Sequence, residues 1–213
     1  MNNSRSASII ITLLIALNVR AGTVDTVETF SPSMKKNIKA VVVLPDDYKN
    51  GKDYPVVYLL HGAGGNYSNW ITLAPQLKQA VDLYHLIIVC PDGRNSWYFD
   101  SPMDNSYKYE TYVSDELVKW TDAHYKTIKD RSGRAITGLS MGGHGGLYLA
   151  FKHQDVFGAA GSMSGGVDIR PFPKNWNLAD RLGSYAEHPE NWEKNTVINM
   201  TYLLTPNALS LIF

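Results

Sequence analysis

Short apolar runs alternate with amphipathic segments along most of this 213-residue chain. Residues 37–44 alternate between polar and apolar positions and then become continuously apolar, which predicts a strand that ends at Pro45. Residues 55–60 and 86–90 are short runs rich in Val and Ile, typical of strands buried on both faces of a parallel sheet. Residues 157–163 suggest a further strand. These runs predict a sheet of mostly parallel strands.

The segments between these runs have helical periodicity. Pro75 suits the first turn of a helix, and one face of that helix gathers Leu77, Ala80, Val81 and Tyr84. Residues 112–128 repeat the pattern before another short strand at 134–137. Strands that alternate with helices predict a doubly wound α/β sheet with helices on both faces. In such a sheet the active site lies at the carboxyl ends of the strands.

Residues 138–142 match the pattern G-x-S-x-G, with Ser140 at its centre. A predicted strand precedes the pattern and a helix-like stretch, residues 147–153, follows it. A sharp turn from strand to helix holds a serine in a strained conformation with its hydroxyl above the sheet. Glycine at 138 and 142 suits this turn, because a β-carbon would crowd the strand and helix. An incidental serine in a glycine-rich turn is the alternative, and the flanking elements favour a nucleophile.

A second glycine-rich loop, residues 61–65, directly follows the strand predicted at 55–60. In acyl transfer, backbone N–H groups in such a loop stabilise the oxyanion, together with the N–H of the residue after the nucleophile. That residue is Met141. The alternative is a tight turn that merely closes the strand.

Composition restricts the partners. Twenty basic residues balance twenty acidic ones, so the charge favours neither nucleic acid nor an anionic membrane. A hydrophobic content of 44% fits one globular domain. The single cysteine, Cys90, cannot form an internal disulfide, and its place at the end of an apolar run predicts a buried, inert thiol.

The first 21 residues are typical of a signal peptide. Arg5 lies in a short polar stretch, residues 9–17 are apolar apart from Thr12, and Ala21 ends a suitable cleavage sequence. An apolar stretch of this length is too short to span a bilayer, which needs roughly 20 residues. We therefore predict a secreted or periplasmic protein, residues 22–213, without stable membrane association after cleavage. A retained membrane anchor is the alternative.

Several motifs together resemble the esterases related to esterase D. This group includes S-formylglutathione hydrolases, tributyrin esterases, feruloyl and acetyl xylan esterases, and secreted mycolyltransferases. The resemblance covers roughly residues 28–213 and is carried by residues 58–65, 91–93, 96–98, 109–112 and 137–143. It implies an α/β-hydrolase fold, Ser140 as nucleophile, and the N–H groups of Ala63 and Met141 as the oxyanion hole. The chemistry requires no metal and no organic cofactor.

The catalytic base and acid of this family are not found after Ser140. In α/β-hydrolases the acid follows a later strand and the histidine follows the last one. Residues 208–213 resemble the strand that leads to the acid, so we expect a C-terminally incomplete domain without the last strands. A truncated or frameshifted reading frame and a deliberately shortened chain both explain this. An apolar sheet edge would then be exposed, which predicts poor stability and aggregation.

Other histidines after Ser140 are weaker candidates for the base. His144 is predicted to pack or to lie on the helix surface, and His153 to stabilise a helix end. Asp168 with His188 preserves the family's chain order, but both lie in an irregular segment.

Aromatic residues crowd the segment from Trp97 and Tyr98 to Tyr112. They form either a wall that receives an aromatic acyl group or a sugar ring, or the packing that holds this loop on the sheet. We interpret Trp97 and Tyr98 as candidate substrate-binding residues.

The predicted function is a secreted serine esterase. Its expected partners are small-molecule or polysaccharide esters, with short-chain acyl groups or with acetyl or feruloyl groups on plant polysaccharide. A catalytically impaired carbohydrate-binding or structural module is one alternative, and an acyltransferase is another.

Overall fold

A computed structural model describes residues 22–48 and 52–213 of the chain. The predicted signal peptide, residues 1–21, lies outside the described residues. The described residues form one seven-stranded sheet in the order β1-β2-β4-β3-β5-β6-β7. The strands are β1 Thr23–Ser31, β2 Lys36–Leu44, β3 Val56–Leu60, β4 Ile87–Pro91, β5 Arg134–Gly138, β6 Ala159–Gly161 and β7 Ser210–Ile212.

The sheet is mostly parallel, as predicted. Strands β3 to β7 run parallel to one another, whereas β2 is antiparallel to both β1 and β4. The carboxyl ends of β3, β4 and β5 therefore meet at one edge of the sheet, beside the amino end of β2. This edge is where a doubly wound sheet carries its active site.

Strand β1 was not predicted from the sequence. It is an edge strand whose side chains are largely exposed or half-buried, with the sequence TVDTVETFS. An edge strand of this kind has no continuous apolar run, because neighbouring elements bury few of its side chains. Strand β6 is shorter than the predicted 157–163, and beyond its end Met163 forms an isolated parallel bridge with Leu139, where its carbonyl accepts a hydrogen bond from the Ser140 N–H.

Helices cover both faces of the sheet. They are α1 Asn69–Leu73, α2 Leu77–Tyr84, α3 Tyr109–Thr111, α4 Leu117–His124, α5 Met141–Lys152, α6 Leu178–Leu182 and α7 Pro189–Asn195. The helix predicted over 112–128 starts earlier and ends earlier, and a π-helical turn, Tyr112–Glu116, joins α3 to α4. None of the helices in the described part of the chain is long and apolar enough to cross a membrane.

The two faces of the sheet are covered unequally. Helix α5 packs on β3, β5 and β6, over a core rich in buried aromatic rings. On the opposite face α1 and α2 cover the strands around β2 and β4. Beyond them an apolar trough of about 470 Å³ lies over β5, β6 and β7, with Ile212 and Phe213 in its lining. Both of these side chains are largely exposed.

Candidate active site

Ser140 stands on a sharp turn between β5 and α5. Its backbone has φ 56° and ψ −114°, a strained conformation for a residue with a β-carbon. Its N–H donates to the carbonyl of Met163 at 2.9 Å, which ties the turn to the segment after β6. The residue is exposed at the carboxyl edge of the sheet. The strand, turn and helix predicted around Ser140 are therefore present.

The glycines on either side of Ser140 allow this close packing. A β-carbon built on Gly138 would lie 2.5 Å from the carbonyl oxygen of Leu60 and 2.7 Å from the carbonyl carbon of Gly142. One on Gly142 would overlap the Leu60 carbonyl itself. Both contacts are with backbone atoms that cannot rotate away. Only glycine fits at these two positions, as the sequence pattern indicated.

The loop after β3 borders the same cleft as Ser140. This cleft has a volume of about 330 Å³ and is lined by Gly62, Ala63, Gly64, Gly65, Asn69, Leu139, Ser140 and Trp176. A β-carbon built on Gly62 would lie 3.6 Å from that of Ser140, so the loop and the turn are in direct contact. The structure thus brings Ala63 and Ser140 together.

Met141 is the first residue of α5, where a backbone N–H has no acceptor within the helix. Within residues 22–48 and 52–213, neither its N–H nor that of Ala63 donates to a protein acceptor. One of these N–H groups belongs to the residue after Ser140, and the other to the loop that lines the same cleft.

His61 holds the loop in place. Its Nε2 accepts a hydrogen bond of 2.8 Å from the Gly93 N–H, and its Nδ1 lies 2.7 Å from the carbonyl oxygen of Gly62. These two contacts define a neutral ring that carries its proton on Nδ1. Asp92 lies 3.7 Å from Nε2.

Asn95 is a second support that the sequence did not reveal. Its Oδ1 accepts a hydrogen bond of 2.7 Å from the Gly64 N–H, and its amide donates to Asn177 at 3.2 Å. It joins the loop to the segment before α6, on the far side of the cleft. Its contacts come from positions distant in sequence, so no local pattern marked it.

The prediction for Trp97 and Tyr98 requires a correction. Their side chains are only 3% and 0% exposed, so neither ring offers a face to a substrate. The indole N–H of Trp97 donates to the carbonyl of Trp176 at 3.1 Å, and the Tyr98 hydroxyl donates to the carbonyl of His61 at 3.1 Å. They support the cleft from behind. The aromatic wall of the cleft is Trp176, which is 48% exposed.

His144 is a packing residue, one of the two roles predicted for it. Its Nδ1 lies 2.8 Å from the Gly166 carbonyl oxygen, and its ring is enclosed by Trp97, Phe99 and Tyr148. Burial lowers its pKa to about 4, against a smaller opposing effect of the bond to Gly166. The ring is therefore neutral at physiological pH, and its Nδ1 bonds to Gly166 and not to Ser140.

The other candidates for base and acid have partners of their own. His153 bonds to Glu110 at 3.0 Å, His188 lies 3.6 Å from Glu190, and Asp168 pairs with Arg170 at 2.8 Å. Asp168 and His188 therefore do not pair with each other as acid and base. Among the described residues no histidine hydrogen-bonds to the Ser140 hydroxyl, and no group of three or more His, Cys, Asp or Glu side chains is placed to hold a metal ion.

The match that decides the family covers most of the chain. The model of the Esterase family matches residues 31–204. This chain belongs to the Esterase family. The seven-stranded sheet with helices on both faces, and the likeness to solved esterases, make its fold that of an α/β-hydrolase.

Relatives of this Esterase-family chain include hydrolases and transferases. An acetyl esterase of Caldicellulosiruptor saccharolyticus is 29% identical over 161 residues, 70% of this chain and 60% of that protein. The diacylglycerol acyltransferase/mycolyltransferase Ag85B of Mycobacterium leprae is 35% identical over 204 residues, 86% of this chain and 60% of that protein. A solved ferulic acid esterase is 28% identical with a TM-score of 0.69, covering 89% of this chain and 74% of that one.

The chain is shorter than these proteins. Across several of the curated relatives that it matches, it spans between 29% and 60% of their lengths.

Proposed function

We propose that this protein is a serine esterase in which Ser140 attacks the carbonyl of a carboxylic ester. The proposal is supported by the strained turn at Ser140, which shares a cleft with Ala63. Among the described residues, the N–H groups of Ala63 and Met141 donate to no protein acceptor. The serine oxygen bonds to the carbonyl carbon, and the negative oxygen that forms accepts hydrogen bonds from these two N–H groups. The alcohol then leaves, and water releases the acid from the acyl-serine.

Attack also requires a base that takes the serine proton. The described residues supply the nucleophile and the oxyanion donors but place no histidine on the Ser140 hydroxyl. A nucleophile and oxyanion hole without base and acid retain only about 10³–10⁴-fold catalysis over water. This observation favours the second candidate, a catalytically impaired carbohydrate-binding or structural module.

The proposed substrates are acetyl or feruloyl esters on plant polysaccharide, or small short-chain esters. Support comes from the exposed Trp176 ring beside Ser140 and from relatives named acetyl esterase and ferulic acid esterase. The likeness to Ag85B keeps acyl transfer to a sugar as an alternative outcome of the same acyl-serine. No cofactor or metal takes part in the proposed reaction.

We further propose that residues 1–21 direct export and are removed, leaving one domain, residues 22–213, outside the cytoplasm. N-terminal sequencing of protein recovered from the periplasm or medium tests this, and the expected first residue is Gly22. A protein that keeps Met1 in the membrane fraction supports a retained anchor instead.

Labelling with a fluorophosphonate probe tests the esterase proposal. We expect stoichiometric labelling at Ser140, hydrolysis of p-nitrophenyl acetate, and loss of both in Ser140→Ala. Ser162→Ala is a matched control, since Ser162 does not line this cleft. Absence of labelling in the folded protein supports the impaired module, and a sugar ester formed from an acyl donor and a sugar acceptor supports the transferase.

A further inference from the structure

A second cleft, of about 400 Å³, lies at the same edge of the sheet as Ser140. Because β2 is antiparallel to β4, the start of β2 lies beside the segment that follows β4. The residues that line this cleft are mostly polar or charged and include Glu28, Lys36, Lys39, Tyr67, Asp92 and Arg94. We refer to it as the polar cleft.

One loop forms a wall of both clefts. Residues 62–65 line the Ser140 cleft, and the next two residues, Asn66 and Tyr67, line the polar cleft. The two linings therefore meet at the peptide bond between Gly65 and Asn66. A polymeric substrate with its ester at Ser140 would have to cross this loop to reach the polar cleft.

The carboxylates of the polar cleft already have partners. Asp92 accepts a hydrogen bond of 2.9 Å from the Arg94 N–H and lies 3.7 Å from the Arg94 Nε. Glu28 accepts a long hydrogen bond of 3.5 Å from the amide of Asn37. Both carboxylates of this cleft thus interact with nearby side chains or N–H groups of the same lining.

In the described part of the chain, the two ammonium groups in the cleft have no carboxylate in direct contact. Within the described residues, neither Lys36 nor Lys39 has a carboxylate oxygen within 4.0 Å, whereas lysines elsewhere, such as Lys119 and Lys152, do. Lys39 lies over the ring of Tyr67, 5.8 Å from its centre. With Arg94, they give the lining three cationic side chains against the two carboxylates of Glu28 and Asp92, so positive charge is in excess.

Lys36 is partly buried beside a backbone carbonyl and two aromatic rings. Its Nζ donates to the carbonyl of Ser106 at 2.7 Å and lies 5.1 and 5.0 Å from the ring centres of Tyr107 and Tyr109. Burial and the like charge of Arg94 lower its pKa, despite nearby acids. A bound anion would offset the repulsion between Lys36 and Arg94.

We propose that the polar cleft binds a carboxylate-bearing sugar unit, such as a glucuronic acid substituent, of the polysaccharide whose ester is presented to Ser140. Lys39, Lys36 and Arg94 contact the carboxylate, and the Tyr67 ring and the Asn66 amide contact the sugar. The cleft volume lies within the range of small-molecule sites. This inference rests on the proposed esterase function for the location of the ester.

Titration calorimetry with ester-free oligosaccharides tests the inference. The probes are a xylo-oligosaccharide that carries one glucuronic acid substituent and the same oligosaccharide without it. We expect the acidic probe to bind about 10-fold or more tightly than the neutral one, with an affinity that falls as salt is added. Equal affinity for the two probes, or no binding of either, would overturn the inference.

Charge-removing variants locate the binding. Lys39 and Arg94 are exposed, so Lys39→Gln and Arg94→Gln do not depend on the core. Each is expected to weaken binding of the acidic probe roughly 5- to 10-fold and to leave the neutral probe unchanged. Lys119→Gln removes the same charge from α4 and is expected to change nothing. Unchanged binding in both cleft variants places the sugar elsewhere and overturns the inference.

The probes carry no ester, so the outcome is independent of catalysis. If a fluorophosphonate labels Ser140 but the acidic probe does not bind, the esterase proposal stands and the polar-cleft proposal is wrong. Binding of the probe without labelling retains the site and rejects the esterase.

Discussion

Tyr148 donates its hydroxyl to the carboxylate of Glu110 at 2.6 Å, across the space between α5 and α3. Lys152 and His153 bond to the same carboxylate at 2.6 and 3.0 Å. Burial would raise the pKa of Glu110, but the hydrogen bonds from His153, Lys152 and Tyr148 outweigh it and lower the pKa to about 2. This carboxylate therefore fixes the helix that carries Ser140 at its start.

The first prediction concerns Glu110→Gln. Because the folded-state pKa is below the ordinary value of 4.5, the carboxylate stabilises the fold above pH 4.5, and this contribution is lost as pH falls towards 2. The contribution is about 3 kcal/mol. We expect the variant to be less stable at pH 7 by that order, with the difference shrinking between pH 4.5 and 2 in chemical denaturation. Glu190→Gln, at an exposed site, is the control, and parallel pH curves for wild type and Glu110→Gln would contradict the prediction.

The second prediction concerns the buried ring of His144. Its folded-state pKa, about 4, is below the ordinary 6.5, so only the unfolded chain takes up a proton as pH falls between these values. Stability is complete above pH 6.5 and decreases by about 3 kcal/mol towards pH 4. His144→Phe keeps a ring in the same space and should flatten this slope, while losing about 1 kcal/mol at pH 8 with the Gly166 hydrogen bond. Denaturation curves at pH 8 and 4.5 measure both effects. Identical slopes for the two proteins would show that the ring titrates freely.

The third prediction concerns the glycines of the turn. Gly142→Ala places a methyl group on the Leu60 carbonyl, and we expect a loss of about 3 kcal/mol in urea unfolding. Gly166→Ala is the matched control, since its β-carbon would lie 3.5 Å from the Trp97 ring, an ordinary contact. Its stability should change by less than about 1 kcal/mol. Equal effects of the two substitutions would disprove the close approach of β3 and α5.

The fourth prediction concerns the aromatic wall. Trp176→Ala, in a Ser140→Ala background, should weaken binding of methyl ferulate about 10-fold, because the exposed face of the ring is lost. Trp176→Phe keeps an aromatic face and should retain most of the affinity. Intrinsic fluorescence and calorimetry measure these affinities. An alanine variant that binds as tightly as the parent would exclude stacking on this ring.

The fifth prediction concerns the trough and edge strand β7. Ile212 and Phe213 are 70% and 82% exposed there, so we expect concentration-dependent self-association in sedimentation experiments. Ile212→Lys should reduce it, because a charge on an edge strand opposes pairing with another chain. Leu83→Lys, which removes an exposed apolar side chain from α2, should not. A wild-type protein that stays monomeric at all concentrations would contradict the expected aggregation.

Sequence patterns predicted the parts of this protein in which burial is continuous along the chain. Strands β2, β3 and β4 contain apolar runs because helices cover both faces of this part of the sheet. The turn at Ser140 was also predictable, since close contacts with the adjacent strand require glycine at 138 and 142 and leave a recognisable pattern in the sequence. Strand β1 has no such run, because it lies at the edge of the sheet.

The cleft walls depend on contacts between distant parts of the chain. Composition around Trp97 indicated aromatic rings but not which of them are buried. The Trp97 indole bonds to the carbonyl of Trp176, which lies 79 positions later in the chain. The same is true of Asn95, whose partners Gly64 and Asn177 come from separate loops. Periodicity contains no information on such pairs.

Cys90 has a practical consequence for the compartment in which this chain folds. It is buried in β4, and burial raises its pKa to about 12, so almost none of it is thiolate at neutral pH. The sequence contains no other cysteine with which to form a disulfide. Folding of this sequence therefore needs neither an oxidant nor a disulfide isomerase, and no disulfide forms within it in a reducing cytoplasm or in an oxidising periplasm.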